Sequence, residues 1–280
     1  MTANGILDCD VCNCTAETTF NQVMTCSDRF KTPYLSVVLT GEFSINVLDL
    51  SVNSISILGE NAFSEVSESV HTIDMSHNEL QTIPNALEKV ENLQDLDLSK
   101  NFLTTLPRGC FDHYQIIRTL ELSRNDISNI DPEFVSFPND IKKIDLGRNN
   151  LTSLTFLRNL QSMTSLNLEY NNIKYITEDS FRGLTEITYL DFTGNKLMYI
   201  HPRAFLGMVN SLETLLLRSN EFETISPCPF DGIKSLTTVN ITQNPLQCHC
   251  DLNWLNRWID TPNPNDACWS QAIDKQKRLG

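Results

Sequence analysis

The sequence predicts a solenoid of the α/β class, in which short units stack along one axis and each adds one strand to a parallel sheet. The first observation is the stretch Leu93–Leu103, LQDLDLSKNFL, whose pattern L-x-x-L-x-L-x-x-N-x-L returns along most of the 280 residues. The second is the spacing of the asparagine in its ninth place, because a repeat of about 24 residues is typical of stacked folds. Its nine occurrences are Asn53, Asn78, Asn101, Asn125, Asn149, Asn171, Asn195, Asn220 and Asn244.

This consensus resembles the leucine-rich repeat, and the resemblance implies a horseshoe of nine repeats over residues 41–246. Its concave side would be a parallel β-sheet, and its convex side would be irregular or 3-10 helical. Strand alternation sends Leu120 and Leu122 into the core and Glu121 outward. The ninth-place asparagine would pair backbone groups that the turn leaves unpaired, so its predicted role is structural.

The returning half of each repeat carries a regular apolar position about ten residues after the asparagine, and such a stripe predicts core packing rather than a ligand site. Prolines in the same halves favour short 3-10 turns over long helices. The stripe consists of Phe63, Leu87, Phe111, Phe134, Phe181, Phe205 and Phe230.

The net charge of the chain and the absence of enzyme motifs exclude several classes of function. The chain has 35 acidic and 21 basic side chains, a net charge of −14, which argues against nucleic acid and anionic membranes as partners and permits a basic protein partner. No run of about 18 apolar residues predicts a membrane span. Phosphate-loop, nucleophile-elbow, zinc-protease and dinucleotide motifs are absent from the sequence, so we expect neither an enzyme nor a cofactor or metal site.

Cysteines cluster near the start of the chain, in residues 1–40. Their spacing, Cys9-x2-Cys12-x-Cys14-x11-Cys26, resembles the N-terminal cap of extracellular leucine-rich repeat proteins. The resemblance implies disulfides Cys9–Cys14 and Cys12–Cys26. The C-x2-C pair is also half of a zinc site, but no second half follows it. A cap is needed because the first strand of a stack has an unpaired edge.

The C-terminal segment, residues 247–280, resembles the C-terminal cap of the same extracellular family through NPLQCHCDLNWLNRW at Asn244–Trp258. The resemblance implies a Cys248–Cys268 disulfide and leaves Cys250 without a partner, because the chain ends before a fourth cysteine. We therefore expect a segment of a longer protein, and the capped ends indicate an oxidising, extracellular compartment. The start of the chain lacks the features of a signal peptide.

Cys110 and Cys228 lie between these clusters, in the returning halves of the third and eighth repeats. Five repeat steps of about 4.8 Å would separate them by roughly 24 Å, so they cannot bridge each other. We expect both to be buried free thiols.

The predicted ligand surface is the concave sheet face. Its middle column is mainly acidic, from Asp49 to Asn240, and a second column beside it holds a run of basic residues. One interpretation is a solvated ladder whose opposite charges compensate each other. The other is a partner surface, because arginine and aromatic residues are enriched at interface centres. Its candidate residues are His77, Asp95, Lys100, Arg124, Lys143, Arg148, Tyr170 and Tyr189.

Two N-x-S/T triplets are the expected glycosylation sites. Asn150 follows a predicted strand end, and Asn240 lies in the last repeat, where a glycan would keep partners from that end. A third triplet begins at Asn13, but two flanking cysteines make it a poor acceptor.

We therefore predict an extracellular protein-binding module, such as a receptor or adhesion ectodomain or a secreted binder. The first alternative is a structural matrix protein that binds fibrous partners or forms a homodimer. The second is an intracellular adaptor, which would keep all its thiols free. The repeats themselves favour no particular ligand.

Overall fold

The computed structural model describes residues 4–7, 13–18, 21–27, 34–39 and 45–247, except 65, 67, 115 and 137–139, and only the backbone before Met24 and of residues 34–39. The predicted C-terminal cap, with Cys248, Cys250 and Cys268, lies outside these residues, as do Cys9 and Cys12. Two compact units divide the chain, Met1–Asn149 and Asn150–Gly280, and each is considered by itself.

The first unit is built from short strands that are mostly parallel. Strands β3, β5, β7, β8, β10 and β12 pair in this order as parallel neighbours, while β1, β4 and β6 form a second parallel sheet and β9 pairs with β11. A 3-10 helix, η1, lies on the returning side. The bounds are β1 Asn4–Leu7, β2 Asn13–Thr18, β3 Asn21–Thr25, β4 Tyr34–Leu39, β5 Val47–Asp49, β6 Ile57–Leu58, β7 Thr72–Asp74, η1 Asn85–Lys89, β8 Asp95–Asp97, β9 Thr105–Leu106, β10 Thr119–Glu121, β11 Asn129–Ile130 and β12 Lys143–Asp145.

The second unit repeats this plan. Strands β13, β15, β17 and β18 pair in parallel, β14 pairs with β16, and 3-10 helices cover the returning side. The prediction of short 3-10 turns on that side is confirmed in both units. The bounds are η2 Thr155–Asn159, β13 Ser165–Asn167, β14 Tyr175–Ile176, β15 Tyr189–Asp191, β16 Tyr199–Ile200, η3 Leu206–Met208, β17 Thr214–Leu216, η4 Cys228–Phe230 and β18 Thr238–Asn240.

An antiparallel strand pair covers the N-terminal edge of the first unit's sheet. Strand β2 pairs antiparallel with β3, and β3 pairs parallel with β5. Cys26 follows β3, is fully buried and is disulfide-bonded. The identity of its partner is not among the described contacts, so the pairing with Cys12 stays a prediction.

Leucine positions and the aromatic stripe form the core, as predicted. Leu120 and Leu122 are at most 1% exposed, and every member of the aromatic stripe is at most 3% exposed. In the second unit Phe205 stacks on Phe181, with ring centroids 5.6 Å apart, and contacts Phe230 at 6.3 Å. The stripe is therefore structural.

The asparagine column hydrogen-bonds one repeat to the next. Asn101 accepts the Leu80 N–H at 3.0 Å and donates to the Met75 carbonyl at 3.0 Å and the Leu98 carbonyl at 3.1 Å. The same acceptor bond recurs at every later member of the column, namely Asn125, Asn149, Asn171, Asn195, Asn220 and Asn244. The predicted structural role is confirmed.

Cys228 departs from its prediction. The 3-10 helix η4 turns Pro229 and Phe230 inward, because three residues per turn leave one position outside, and Cys228 is an exposed free thiol. Cys110 is also free but only partly buried.

Candidate functional site

Two sets of outward side chains lie side by side on the sheet face of the first unit. We call the first the strand column; each of its members is the last residue of a strand. We call the second the turn column; each of its members comes three residues later. The strand column is Asp49, Asp74, Asp97, Glu121 and Asp145, and the turn column is Val52, His77, Lys100, Arg124 and Arg148.

The aspartates of the strand column end their strands. The Asp97 carboxylate accepts the Ser99 N–H at 2.8 Å, and Asp74 and Asp145 accept the corresponding N–H groups two residues on at 2.8 and 2.7 Å. Such a bond between a side chain and the backbone stabilises the turn that follows. The common acidic residue at this position therefore has a structural reason, and Glu121 is the exception in the first unit.

Glu121 lies between two carboxylates. Burial, and then the charges of Asp145 and Asp97, raise the pKa of Glu121 to about 7, while Lys143 opposes the rise. Burial likewise raises the pKa of Asp97, opposed by its bond to Ser99 and by the nearby His77. Around Glu121, the two neighbouring carboxylates therefore outweigh the nearby Lys143.

The turn column lies beyond the ends of the strands, which end at Asp97 and Glu121 in two of its repeats. Lys100 has a φ of 53° and Arg124 one of 55°, in the left-handed region, because the chain must turn sharply to bury the following asparagine. Each turn still joins the next through the backbone: the Lys100 N–H donates to the Ser123 carbonyl at 2.8 Å. The basic side chains therefore project from a row of turns at the sheet edge.

The predicted mutual compensation of these charges is incomplete. Lys100, Arg124 and Lys143 are exposed, and none has an ion pair within the described part of the chain. Asp95 is half-buried on β8, in the same outward column as Lys143. The six predicted charged residues of the first unit therefore share one face.

Tyr170 and Tyr189 belong to the second unit. Tyr170 has a φ of 51°, is 45% exposed and lies over Gly194, where an added Cβ would come within 2.5 Å of its ring. Tyr189 is half-buried, and its hydroxyl donates to Asp191 at 3.2 Å. The Tyr170 ring therefore leaves no room for a side chain at residue 194, although other residue types adopt a positive φ at the equivalent turn of other repeats.

The two predicted glycan acceptors differ. Asn150 is exposed. Asn240 is half-buried, and its amide oxygen accepts the Thr242 N–H and hydroxyl at 3.1 and 2.8 Å. Glycosylation of either remains a prediction.

One pair of exposed tyrosines was not predicted from the sequence. Tyr175 and Tyr199 are 55% and 49% exposed and lie opposite each other on β14 and β16. The sequence does carry a signal for this pair, because each tyrosine directly precedes the isoleucine that is buried in the same two-residue strand. Within the described residues, no helix is long and apolar enough to cross a bilayer, and no group of three metal-ligating side chains is found.

Ionisation of the Glu121 carboxyl should lower the free energy of unfolding at pH 8. Because its folded pKa lies above the ordinary value of 4.5, its contribution to stability is complete below about pH 4.5 and is lost as pH rises through about 7. We expect Glu121→Gln to raise the free energy of unfolding by about 1 to 2 kcal/mol at pH 8, with a much smaller effect at pH 4.5. Urea denaturation of both proteins at the two pH values measures this difference; a difference independent of pH would contradict it.

These features define a class of protein, a repeat solenoid. The recurring pattern builds the stack, and the sheet face and the turns carry the side chains that differ from repeat to repeat. A leucine rich repeat model matches residues 68–127, 141–197 and 193–246, more than half of the chain. The chain belongs to the leucine-rich repeat family.

Two of its relatives are extracellular leucine-rich repeat proteins. Mouse podocan-like protein 1 is 28% identical over 62% of this chain and 32% of its own length. Chicken tsukushi is 26% identical over 71% of this chain and 54% of its own length. The chain thus spans between about a third and about half of these relatives. The structure of a TLR13–ssRNA13 complex is similar at a TM-score of 0.64 and 27% identity, over 75% of this chain and 32% of that one.

Proposed function

We propose that the sheet face of the first unit binds a protein partner and that the protein is an extracellular recognition module, either a receptor or adhesion ectodomain or a secreted binder. The observation that carries the proposal is that exposed Lys100 and Arg124, which have no ion pair among the described residues, lie beside the carboxylates of the strand column. A surface optimised for stability alone would not place Glu121 where burial and two neighbouring carboxylates raise its pKa.

Such a surface suits a partner that presents both signs of charge. Basic groups of a partner would meet the strand column, and acidic groups would meet the turn column. Complementary charge of this kind favours the right partner and speeds association more than it adds affinity. In the second unit, the exposed Tyr170 is a candidate contact on that unit's own face.

The extracellular setting is supported by two independent facts. Cys26 is disulfide-bonded, and cytosolic proteins rarely keep disulfides. The named relatives are themselves extracellular. A count of thiols in unreduced protein tests the setting: reactive cysteines near the N-terminus would oppose it.

Protein is proposed over nucleic acid, although TLR13 was crystallised with single-stranded RNA. A phosphate backbone at the turn column would lie beside the five carboxylates of the strand column, and the net charge of −14 adds a repulsion at longer range. Single-stranded RNA is therefore the contrasting ligand for the binding assay.

The test is a paired charge reversal. Partners captured from an array of extracellular proteins are measured against wild type and against Lys100→Glu/Arg124→Glu by surface plasmon resonance. We expect the reversal to weaken binding by about tenfold to a hundredfold, chiefly through slower association at low salt.

The matched control is Arg182→Glu/Arg203→Glu, which makes the same change in charge on the returning side of the second unit, where both arginines are exposed. It should leave binding unchanged. A partner that binds both double variants as tightly as wild type would contradict the proposed face. Binding of single-stranded RNA by the wild-type protein would contradict the proposed role of the acidic column.

A further inference from the structure

A cavity of about 280 Å³ lies in the second unit, beside η2 and β14. Its lining is rich in hydroxyl groups, and the exposed Tyr175, Arg158 and Asp179 are also part of it. The volume corresponds to about nine liquid waters, so the cavity suits one small ring and not a peptide chain. The serine and threonine residues of the lining are Thr152, Ser153, Thr155, Thr177 and Ser180.

Four of these hydroxyls form two hydrogen-bonded pairs. The Ser153 hydroxyl donates to the Thr155 hydroxyl at 3.2 Å, and the Thr177 and Ser180 hydroxyls are 3.0 Å apart. Each hydroxyl offers one donor and two acceptor positions, so one bond within a pair leaves both members able to bind a further group. Ser153, Thr155 and Thr177 are exposed, and a ligand can reach them from solvent. The cavity therefore favours a ligand that carries several hydroxyl groups.

Tyr175 extends the site beyond the cavity, because it pairs in register with Tyr199 on the neighbouring strand. The two residues are 55% and 49% exposed, and the isoleucine after each is at most 5% exposed and supplies the packing. In β9 and β11 the equivalent residues are Thr105 and Asn129, so the fold does not require an aromatic residue here. Exposed tyrosine rings about 4.8 Å apart offer an apolar surface for the C–H groups of sugar rings.

Two lysines lie next to these tyrosines. Lys174 directly precedes Tyr175, and Lys196 lies three residues before Tyr199. The Met198 N–H donates to the Lys174 carbonyl at 3.0 Å, which holds the two turns side by side. Both lysines are exposed, and neither has an ion pair among the residues that the structure describes. Two cations of this kind favour an anionic group on the ligand.

The charge of the second unit permits an anionic ligand. Residues 150–247 carry 7 basic and 9 acidic side chains, a net charge of −2, whereas the whole chain has a net charge of −14. The repulsion that opposes an anion at the first unit is therefore weak here, and salt screens much of the remainder. Asp179 lines the cavity but is paired with Arg182 at 3.4 Å. The acidic group of a ligand consequently suits the lysines, and its neutral hydroxyls suit the cavity.

We propose that this part of the second unit binds an acidic oligosaccharide. One sugar ring occupies the cavity among the serine and threonine hydroxyls, and the chain continues across Tyr175 and Tyr199. A carboxylate or sulfate of the neighbouring sugars pairs with Lys174 and Lys196. The site uses none of the residues of the strand and turn columns, so it does not depend on the protein-binding face.

Isothermal titration calorimetry tests the proposal with hyaluronan and heparin octasaccharides, which carry carboxylate alone and carboxylate with sulfate. The full chain carries Asn150→Gln in every measurement, so that no glycan attached two residues from Thr152 competes. A chitin octasaccharide keeps the sugar rings without the acid, and oligoglutamate keeps the acid without the rings. We expect at least one acidic octasaccharide to bind about tenfold or more tighter than either contrast, and the tighter one identifies the acid. Equal binding of a contrast, or no binding of either acidic octasaccharide, would overturn the proposal.

Variants of the two lysines test the charged part of the site. Lys174→Gln/Lys196→Gln should raise the Kd of the acidic octasaccharide about tenfold or more, because two charge-assisted contacts are lost. Arg218→Gln/Lys234→Gln removes the same charge at two exposed positions of the same unit and should change the Kd less than about twofold. Equal losses for the two double variants would show attraction to the net charge alone and would overturn the site.

Variants of the tyrosines and of one hydroxyl test the neutral part. Tyr175→Leu/Tyr199→Leu should raise the Kd about fivefold or more, whereas Tyr175→Phe/Tyr199→Phe keeps both rings and should stay within about twofold of the starting protein. Thr155→Val should raise the Kd about fivefold, because it removes one cavity hydroxyl and keeps the side-chain shape. Circular dichroism confirms that each variant is folded. Leucine variants that bind as tightly as the phenylalanine variants would overturn the proposed role of the rings.

Discussion

Replacing Asn101 with alanine is expected to lower the free energy of unfolding by about 3 to 5 kcal/mol, because the change leaves several buried backbone groups unpaired at once. The Leu80 N–H loses its acceptor, and the Met75 and Leu98 carbonyls lose a donor. Asn101 is 4% exposed, so water cannot replace these bonds without opening the stack. Chemical denaturation of wild type and variant measures the loss.

Asn92→Ala is the matched control for this change. Asn92 makes one exposed bond to the Glu68 carbonyl at 2.8 Å, so its loss should cost less than about 1 kcal/mol. Asn101→Asp adds a second check, since aspartate keeps the acceptor for Leu80 but removes both donations. Losses of similar size for Asn101→Ala and Asn92→Ala would show that the column does not hold adjacent repeats together.

Phe205→Ala in the second unit should cost about 3 to 5 kcal/mol, the range for deleting a buried aromatic ring. The ring is 1% exposed and lies between Phe181 and Phe230, so its removal leaves a cavity with aromatic walls and removes both ring contacts. The stack cannot close around the gap, because the neighbouring repeats are fixed by their own strand pairing. Thermal and urea denaturation report the change.

The next residue along the chain provides the control. Leu206 is 67% exposed, and Leu206→Ala should change the free energy of unfolding by less than about 0.5 kcal/mol. Equal losses for the two substitutions would mean that the aromatic stripe does not carry the core. Neither change touches the strand or turn column, so folded variants should keep the binding activity of the first unit.

Much of the fold was predictable because the same positions are buried in every repeat. Leu120 and Leu122 alternate with outward residues, the aromatic position returns to the core, and the ninth-place asparagine is buried. A position that is buried in every repeat leaves a periodic signal that a single sequence can reveal. Family membership and the parallel stack followed from it.

The candidate surface was predictable in membership but not in geometry. The sequence predicts that Lys100 and Arg124 lie beside the acidic column, but it does not predict that they lie on turns. The strands end at Asp97 and Glu121, and the next three residues turn through the left-handed region. No side-chain pattern marks that turn, since charged, aromatic and β-branched residues all occupy it.

The sequence by itself determined the repeat, the buried columns, the excess of acid and the residues free to vary. Only the tertiary structure decided that Glu121 sits between two carboxylates, that Cys228 faces outward and that the Tyr114 hydroxyl is buried without a partner among the described residues. The physical reason is that periodicity records what is alike in all repeats, namely burial. Charge regulation, thiol exposure and cavities arise where one repeat differs from its neighbour, and they depend on which side chains two repeats bring together.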